Sequence, residues 1–284
     1  MHGATGPSIR RLDSELLLRA YSAGLFPMAD TREAEDIYWV EPRQRGVLPP
    51  ERFHLPRSLA KVLKKNRFRH SRDLAFTAVI RHCAAAGPGR EQSWINATIL
   101  DAYVRLHQQG HAHSIETWDA DGRLVGGLYG VRLGGAFFGE SMFSLATDAS
   151  KAALAHLVAR LRVGGFRLLD TQFLTAHLAR FGAVELRRSQ YLAQLAAALE
   201  YGGDWHAFDR ILGLRYPLGG ESEGEGAGAA GTAGAESAGA EGGESAAGRP
   251  VVPDDVAPAL FLANAGAGFG PPGKSIVQLL SQTS

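Results

Sequence analysis

The 284 residues carry 30 Lys and Arg against 29 Asp and Glu, a formal net charge of +1, and 45% of them are hydrophobic. That is enough apolar material for a real core in one large or two smaller domains. A single cysteine, Cys83, excludes a disulfide within the chain and a thiolate metal cluster, and no apolar run approaches the roughly 20 residues a membrane-spanning helix needs. With no apolar signal core at the N-terminus, the expectation is a cytoplasmic protein away from membranes.

The near-neutral charge averages unlike regions. Between Gly219 and Arg249 stand Glu221, Glu223, Glu225, Glu236, Glu241 and Glu244 against one arginine, a formal −5, and Pro250 onward adds −1. Residues 1–218 therefore carry +7, which suits a polyanionic partner.

Residues 1–8 are small and polar and are expected to be disordered. Helical spacing of Leu12, Leu16, Leu17 and Ala20 predicts a helix over Ile9 to Ala23, with Asp13 or Ser14 near its start and Gly24 at its end. Ile37 to Val40 and Gly46 to Leu48, bounded by Pro42 and Pro49, read as a small strand pair. Residues 9–56 are thus expected to form a small N-terminal domain. Arg57 to Asn66 predicts a helix with Leu59, Val62 and Leu63 inward and Lys61, Lys64 and Lys65 outward, and Arg67, Arg69 and Arg72 continue the basic run. Such a face is either simply solvated or a phosphate-tracking patch. Helices over Leu74 to Ala85 and Ile95 to Gln109 follow, separated by Gly87, Pro88 and Gly89.

After Gly110 the period changes to alternation, and Ala112 to Trp118, Leu124 to Leu133 and Ala136 to Phe143 read as three strands. Leu154, Leu157, Val158 and Leu161 mark a helix that Gly164 and Gly165 stop. A strand from Phe166 to Gln172, a helix from Thr175 to Phe181, a strand near Val184 to Leu186 and a helix from Gln190 to Leu199 complete a β-β-β-α-β-α-β-α order. The expectation is an α+β protein whose catalytic domain, residues 57–217, is a mixed sheet with helices against it, resembling the acetyltransferases. Residues 218–258, almost entirely Gly, Ala, Ser and Glu at their core, read as a low-complexity linker, and 259–284 as a short apolar tail.

Two places combine polar groups with core strands. Glu140 stands in GESMF directly after the apolar run Ala136 to Phe138, and Asp170 and Gln172 close the apolar strand Phe166, Leu168, Leu169. At i and i+2 of a strand Asp170 and Gln172 share a face, and polar groups among core residues need partners, so a site is expected there as readily as loop caps or arginine pairs. Gly268 to Ser275 spells a phosphate-loop pattern, but too little chain follows it to form the required helix and sheet, and we read it as a decoy. His111 and His113 lack a third ligand and read as structural, so no metal is expected. The loop Ser144 to Ser150, SLATDAS, lacks the glycine-rich turn that cradles the pyrophosphate of coenzyme A. No cofactor is expected, and the acyl donor must be something else.

The segments AYSAGLFPM, GHAHSIETW, LVGGLYGV, FFGESMFS, ASKAAL and LLDTQFLTAHLARFGA, in unbroken order, resemble the leucyl/phenylalanyl-tRNA-protein transferases. That resemblance implies an aminoacyltransferase that moves Leu or Phe from aminoacyl-tRNA to the α-amine of proteins beginning with Arg or Lys, marking them for degradation by the N-degron route. It assigns Asp170 and Gln172 to catalysis and Glu140 to the acceptor's basic residue. Leu128, Phe137, Met142 and Leu169 fall on the donor side-chain pocket, and Tyr21 falls near the tRNA's terminal adenosine. Met28 stands where some members have a tryptophan that stacks on the adenine. With tRNA as donor, Arg57, Lys61, Lys64, Lys65 and Arg67 become candidates for phosphate contacts. A monomer is expected.

Overall fold

A computed structural model describes residues 12–86, 92–213 and 273–281. The expected disorder of residues 1–8, the linker 218–258, the apolar segment Leu260 to Leu262 and most of the Gly268 to Ser275 pattern lie outside the described residues.

The chain opens with α1 (Ser14–Ser22), capped by Asp13, whose carboxylate accepts the Leu16 N–H at 2.7 Å. Two short strands, β1 (Phe26–Met28) and β2 (Tyr38–Val40), pair antiparallel with Met28 opposite Tyr38. This corrects the expected pairing of Ile37 to Val40 with Gly46 to Leu48. The second of those segments is β3 (Gln44–Val47), which joins the main sheet. A 3-10 turn at Pro50–Arg52 leads to α2 (Arg57–Lys64), β4 (Arg69–Arg72), α3 (Phe76–Ala84) and α4 (Ala97–Gln108), the last capped by Asn96. Then come β5 (Ala112–Trp118), β6 (Leu124–Leu133), β7 (Ala136–Ser144), α5 (Ala149–Val163) and β8 (Leu168–Asp170). The short α6 (Ala176–Ala179), β9 (Val184–Arg187), α7 (Arg188–Leu199), α8 (Ala207–Ile211) and, after the undescribed stretch, α9 (Gly273–Ser281) complete the fold.

The main sheet has seven strands in the order β4-β5-β6-β7-β8-β3-β9, antiparallel except for β7 against β8. This is the α+β architecture expected, a mixed sheet with helices on both faces. One face packs against α1, α3, α4 and α7 through Tyr21, Phe76, Val79, Tyr103 and Tyr191, and the other against α2, α5, α8 and α9 through Leu59, Leu157, Phe208 and Ile276. Helix α5 departs from the single stripe its leucines suggest. It is buried almost all round, Arg160 and His156 included, because α2, α8 and α9 cover its outer side. The Arg160 guanidinium stays buried by donating to both Asp209 oxygens, at 2.8 and 2.5 Å, and to the Trp205 carbonyl at 2.7 Å.

Strand β4 was invisible as a strand because its residues are polar. Inside the sheet those groups find partners. The His70 Nδ1 lies 3.2 Å from the Thr117 hydroxyl, and Ser71 donates to Glu116 at 2.5 Å and accepts from the Trp118 ring N–H at 2.8 Å. Arg72, read as part of an exposed basic run, instead turns inward to pair with Asp73 and Asp209.

Candidate active site

Strand β7 pairs with β8 only from Ala136 to Phe138, opposite Leu168 to Asp170. Beyond that point β7 continues to Ser144, while the chain after Asp170 turns toward β3, where Gly46 N–H donates to the Gln172 carbonyl at 2.9 Å. Glu140 and Gln172 stand just beyond the point where the two strands cease to pair, with Asp170 the last paired residue of β8.

Glu140 stands at a break in the β6–β7 register: Gly130 pairs with Gly139 and Tyr129 with Ser141, which leaves Glu140 as the extra residue of a bulge. The bulge switches the strand's alternation, so that Phe138 and Phe143 share one core face while Phe137 and Met142 share the other. Glu140 Oε2 accepts from the Tyr103 hydroxyl at 3.1 Å and Oε1 from the Gln172 Nε2 at 3.0 Å. Tyr103 in turn is hydrogen-bonded to the Tyr21 hydroxyl. The carboxylate is half-buried, and desolvation by its surroundings pushes its pKa up to about 7. Bonds from the tyrosines oppose that rise, Asp170 adds to it, and the Arg45 charge opposes it. Burial, with the nearby Glu140 charge second, raises both tyrosine pKa values well above the ordinary range, so both remain hydroxyl donors.

Asp170, with 0% exposure, lies beneath. The Arg45 Nε reaches both its oxygens at 3.0 Å, Arg45 Nη2 reaches Oδ2 at 2.7 Å, and the Tyr191 hydroxyl donates to Oδ2 at 2.6 Å. The remaining side of Oδ1 accepts the Gln172 backbone N–H at 2.8 Å. Gln172 does not continue the strand as its i+2 spacing suggested: β8 ends at Asp170, and Gln172 turns with φ +55°. For a residue with a side chain that region costs about 1–2 kcal/mol. The turn nevertheless carries the carboxamide to Glu140, and because Nε2 is spent on that carboxylate, Oε1 is the end able to accept a proton donor.

The expected residues thus fall in four places. Glu140, Asp170, Gln172 and Tyr21 come together on the face of α1, α4 and α7. Leu128 opposite Met142, and Phe137 opposite Leu169, adjoin one another on the α5 face. Met142 is half-buried and the other three are buried. Tyr21 has 0% exposure, tucked against the Phe138 ring, while Met28 is half-buried on β1. Arg57, Lys61, Lys64, Lys65 and Arg67 are all exposed on and just after α2, whose Leu59 and Leu63 face the core. Sequence reasoning missed Arg45, Tyr103 and Tyr191. Nothing local to Tyr103 announces Glu140 as its partner, and nothing local to Arg45 or Tyr191 announces Asp170 as theirs.

At the start of α5, where a coenzyme A pyrophosphate would be cradled, the Ser150 N–H donates to the Ser144 hydroxyl at 3.2 Å and Asp148 holds Lys151. His113 is engaged by Asp73 at 3.0 Å and stacked on Trp205 at 4.4 Å. Among the described residues no group of three His, Cys, Asp or Glu side chains is arranged to hold a metal ion, and no helix is long and apolar enough to cross a membrane.

The description of the leucyl/phenylalanyl-tRNA protein transferase family matches residues 47–196, and that of the family's N-terminal domain matches residues 10–43. Three proteins named leucyl/phenylalanyl-tRNA–protein transferase are similar over long stretches. That of Rhizorhabdus wittichii is 60% identical over 191 residues, 67% of this chain and 77% of that one. That of Zymomonas mobilis is 54% identical over 209 residues, 72% and 78% of the two chains, and that of Novosphingobium aromaticivorans 49% over 277 residues, 95% and 96%. Among solved structures, L-PGS from Bacillus licheniformis shares 11% identity at a TM-score of 0.34, covering 61% of this chain and 57% of that chain.

Proposed function

The chain belongs to the leucyl/phenylalanyl-tRNA–protein transferases, and from that footing we propose that it moves Leu or Phe from aminoacyl-tRNA to the α-amine of proteins beginning with Arg or Lys, marking them for degradation by the N-degron route. The observation that carries the residue assignments is the contact between Glu140 and Gln172 just beyond the paired stretch of β7 and β8, with Asp170 buried beneath.

The reaction is aminolysis of an ester. The neutral amine attacks the carbonyl carbon, a tetrahedral intermediate forms, and its collapse breaks the ester bond and expels the ribose oxygen, which takes up the proton that the attacking nitrogen gives up. An α-amino group titrates near 7.7–8.0, so a useful fraction is already neutral at cellular pH and no strong base is needed. Holding amine and ester in contact supplies several kcal/mol. Gln172 is suited to that task and not to being a base, because a carboxamide oxygen accepts a hydrogen bond but hardly a proton. Its Oε1 accepts from the attacking amine while Glu140 takes the acceptor's cationic side chain. Leu128, Phe137, Met142 and Leu169 receive the donor's apolar side chain, with Met142 at the accessible end. Tyr21 and Met28 lie toward the terminal adenosine, where the thioether replaces ring stacking. Arg57, Lys61, Lys64, Lys65 and Arg67 meet tRNA phosphates. The protein acts as a monomer in the cytoplasm.

The competing classes are a coenzyme-A-dependent N-acetyltransferase and an RNA-binding module without activity. Labelled leucyl-tRNA and a peptide beginning with Arg, with acetyl-coenzyme A run in parallel, separate them. Label reaching the peptide from leucyl-tRNA alone is the expected outcome. Acetylation would favour the first alternative, and tRNA binding without transfer the second.

A further inference from the structure

Gln172 holds a backbone conformation that residues with side chains rarely adopt, at φ +55°. Three hydrogen bonds keep it there. Asp170 Oδ1 accepts the Gln172 N–H at 2.8 Å, Gly46 N–H donates to the Gln172 carbonyl at 2.9 Å, and Thr171 N–H donates to the Gly46 carbonyl at 2.9 Å. Two of the three involve Gly46, and the third comes from the carboxylate that Arg45 grips. Adjacent residues of β3 therefore control the whole turn.

Neither residue has an easy substitute. A Cβ on Gly46 would lie 2.6 Å from the Phe173 carbonyl carbon and 2.7 Å from the Leu174 nitrogen, both backbone atoms of the same turn. Arg45, 1% exposed, spends Nε and Nη2 on Asp170 and Nη1 on the Gly24 carbonyl at 3.1 Å, with its guanidinium between the Phe26 and Tyr191 rings at 4.6 and 4.8 Å. A lysine cannot reproduce that fork. With Arg45, Tyr191 and the Gln172 amide all on Asp170, the carboxylate's hydrogen-bonding capacity is filled and its charge is balanced.

We propose that Arg45 and Gly46 form a clamp that positions Gln172 for the transfer reaction, with Asp170 serving as the clamp's anchor and not as a partner for the substrate amine. This rests on the function proposed above. Arg45 touches no reacting atom and is a positioning residue. The acceptor's positive charge is then met by Glu140 alone among these carboxylates.

Two substitutions attack the clamp from different sides in the full-length protein. R45K keeps the charge and loses the fork, while G46A leaves the ion pair intact and pushes on the turn. Steady-state transfer from leucyl-tRNA to an Arg-initiated peptide is measured for each, with circular dichroism and thermal unfolding to establish that the variant is folded. Both should lose about 10- to 100-fold in kcat, the size expected of a misplaced reacting group, while KM for either substrate stays within about twofold. A folded variant with the unaltered protein's kcat overturns the proposal, and so does a loss that appears in KM for the donor. Absence of transfer by the unaltered protein would instead overturn the functional reading, and that control tells the two failures apart.

Discussion

Replacing Glu140 by Gln removes a charge while keeping the side chain's shape. Glu140 Oε2 accepts from Tyr103 at 3.1 Å and Oε1 from Gln172 at 3.0 Å, and a glutamine can keep only one of these two bonds. Part of the loss is therefore common to every acceptor. The charge-specific part is the pairing with the acceptor's cation. Two unit charges 4 Å apart attract by about 4 kcal/mol near a protein surface, and a hydrogen bond to a charged group contributes about 1.5–3 kcal/mol net of desolvation. We expect the lower range, about 10- to 150-fold in kcat/KM. The assay compares two peptides that differ only in their first residue, Arg or its uncharged isostere citrulline. Glu140→Gln should abolish most of the preference for Arg, and an equal loss for the two peptides would refute the assignment. The unaltered protein offers a second check. With its pKa raised to about 7, free Glu140 is about one-tenth ionised at pH 6 and nine-tenths at pH 8. The Arg preference should rise about tenfold between those values, while titration of the α-amine, shared by both peptides, cancels in the ratio.

Three further outcomes follow from the same structure. Alanine at Lys61, Lys64 and Lys65 together should reduce the slope of log affinity for tRNA against log salt by about 2 to 3, as expected for three lost phosphate contacts; an unchanged slope would assign the patch to plain solvation. Burial holds the His70 pKa at about 4, below its ordinary value of 6.5. The native ring stays neutral where the unfolded one takes a proton, so its contribution is present above pH 6.5 and lost as pH falls toward 4. Denaturant melts should show the unaltered protein losing about 2 kcal/mol more than His70→Asn between pH 7 and pH 5, and parallel losses would contradict this. Ile276, 0% exposed in α9 against α2 and α5, should cost about 2–4 kcal/mol when cut to Ala, again by denaturant melts, and a change under about 0.5 kcal/mol would mean the helix is not docked in solution.

The strands β5, β6 and β7 were legible because alternation and glycine turns are local signals, and Asp13 marked the start of α1 by its capping side chain. Glu140, Asp170 and Gln172 stood out as polar groups interrupting apolar runs. What could not be read depends on distance along the chain. Arg45 meets Asp170 across 125 residues, and β3 reaches the sheet between β8 and β9 only because the chain folds back on itself. Strand β4 hid behind polar residues that only buried partners make tolerable in a sheet. The bulge at Glu140 left a trace, since no uninterrupted strand sends Phe137 and Met142 to one face and Phe138 and Phe143 to the other, but the trace is recognisable only once the two faces are known. Gln172 shared the site with Asp170 for a reason other than strand alternation: the turn at φ +55°, held by Gly46, brings it there.

The geometry of the transfer site is tested most directly by a crystal structure with an Arg-initiated peptide and a non-hydrolysable amide analogue of leucyl-adenosine. The peptide's α-amine should lie about 3–3.5 Å from the leucyl carbonyl carbon, hydrogen-bonded to Gln172 Oε1, with the guanidinium on Glu140 and Asp170 still gripped by Arg45. An amine or guanidinium bound directly to Asp170, or an α-amine pointing away from Gln172, would contradict it.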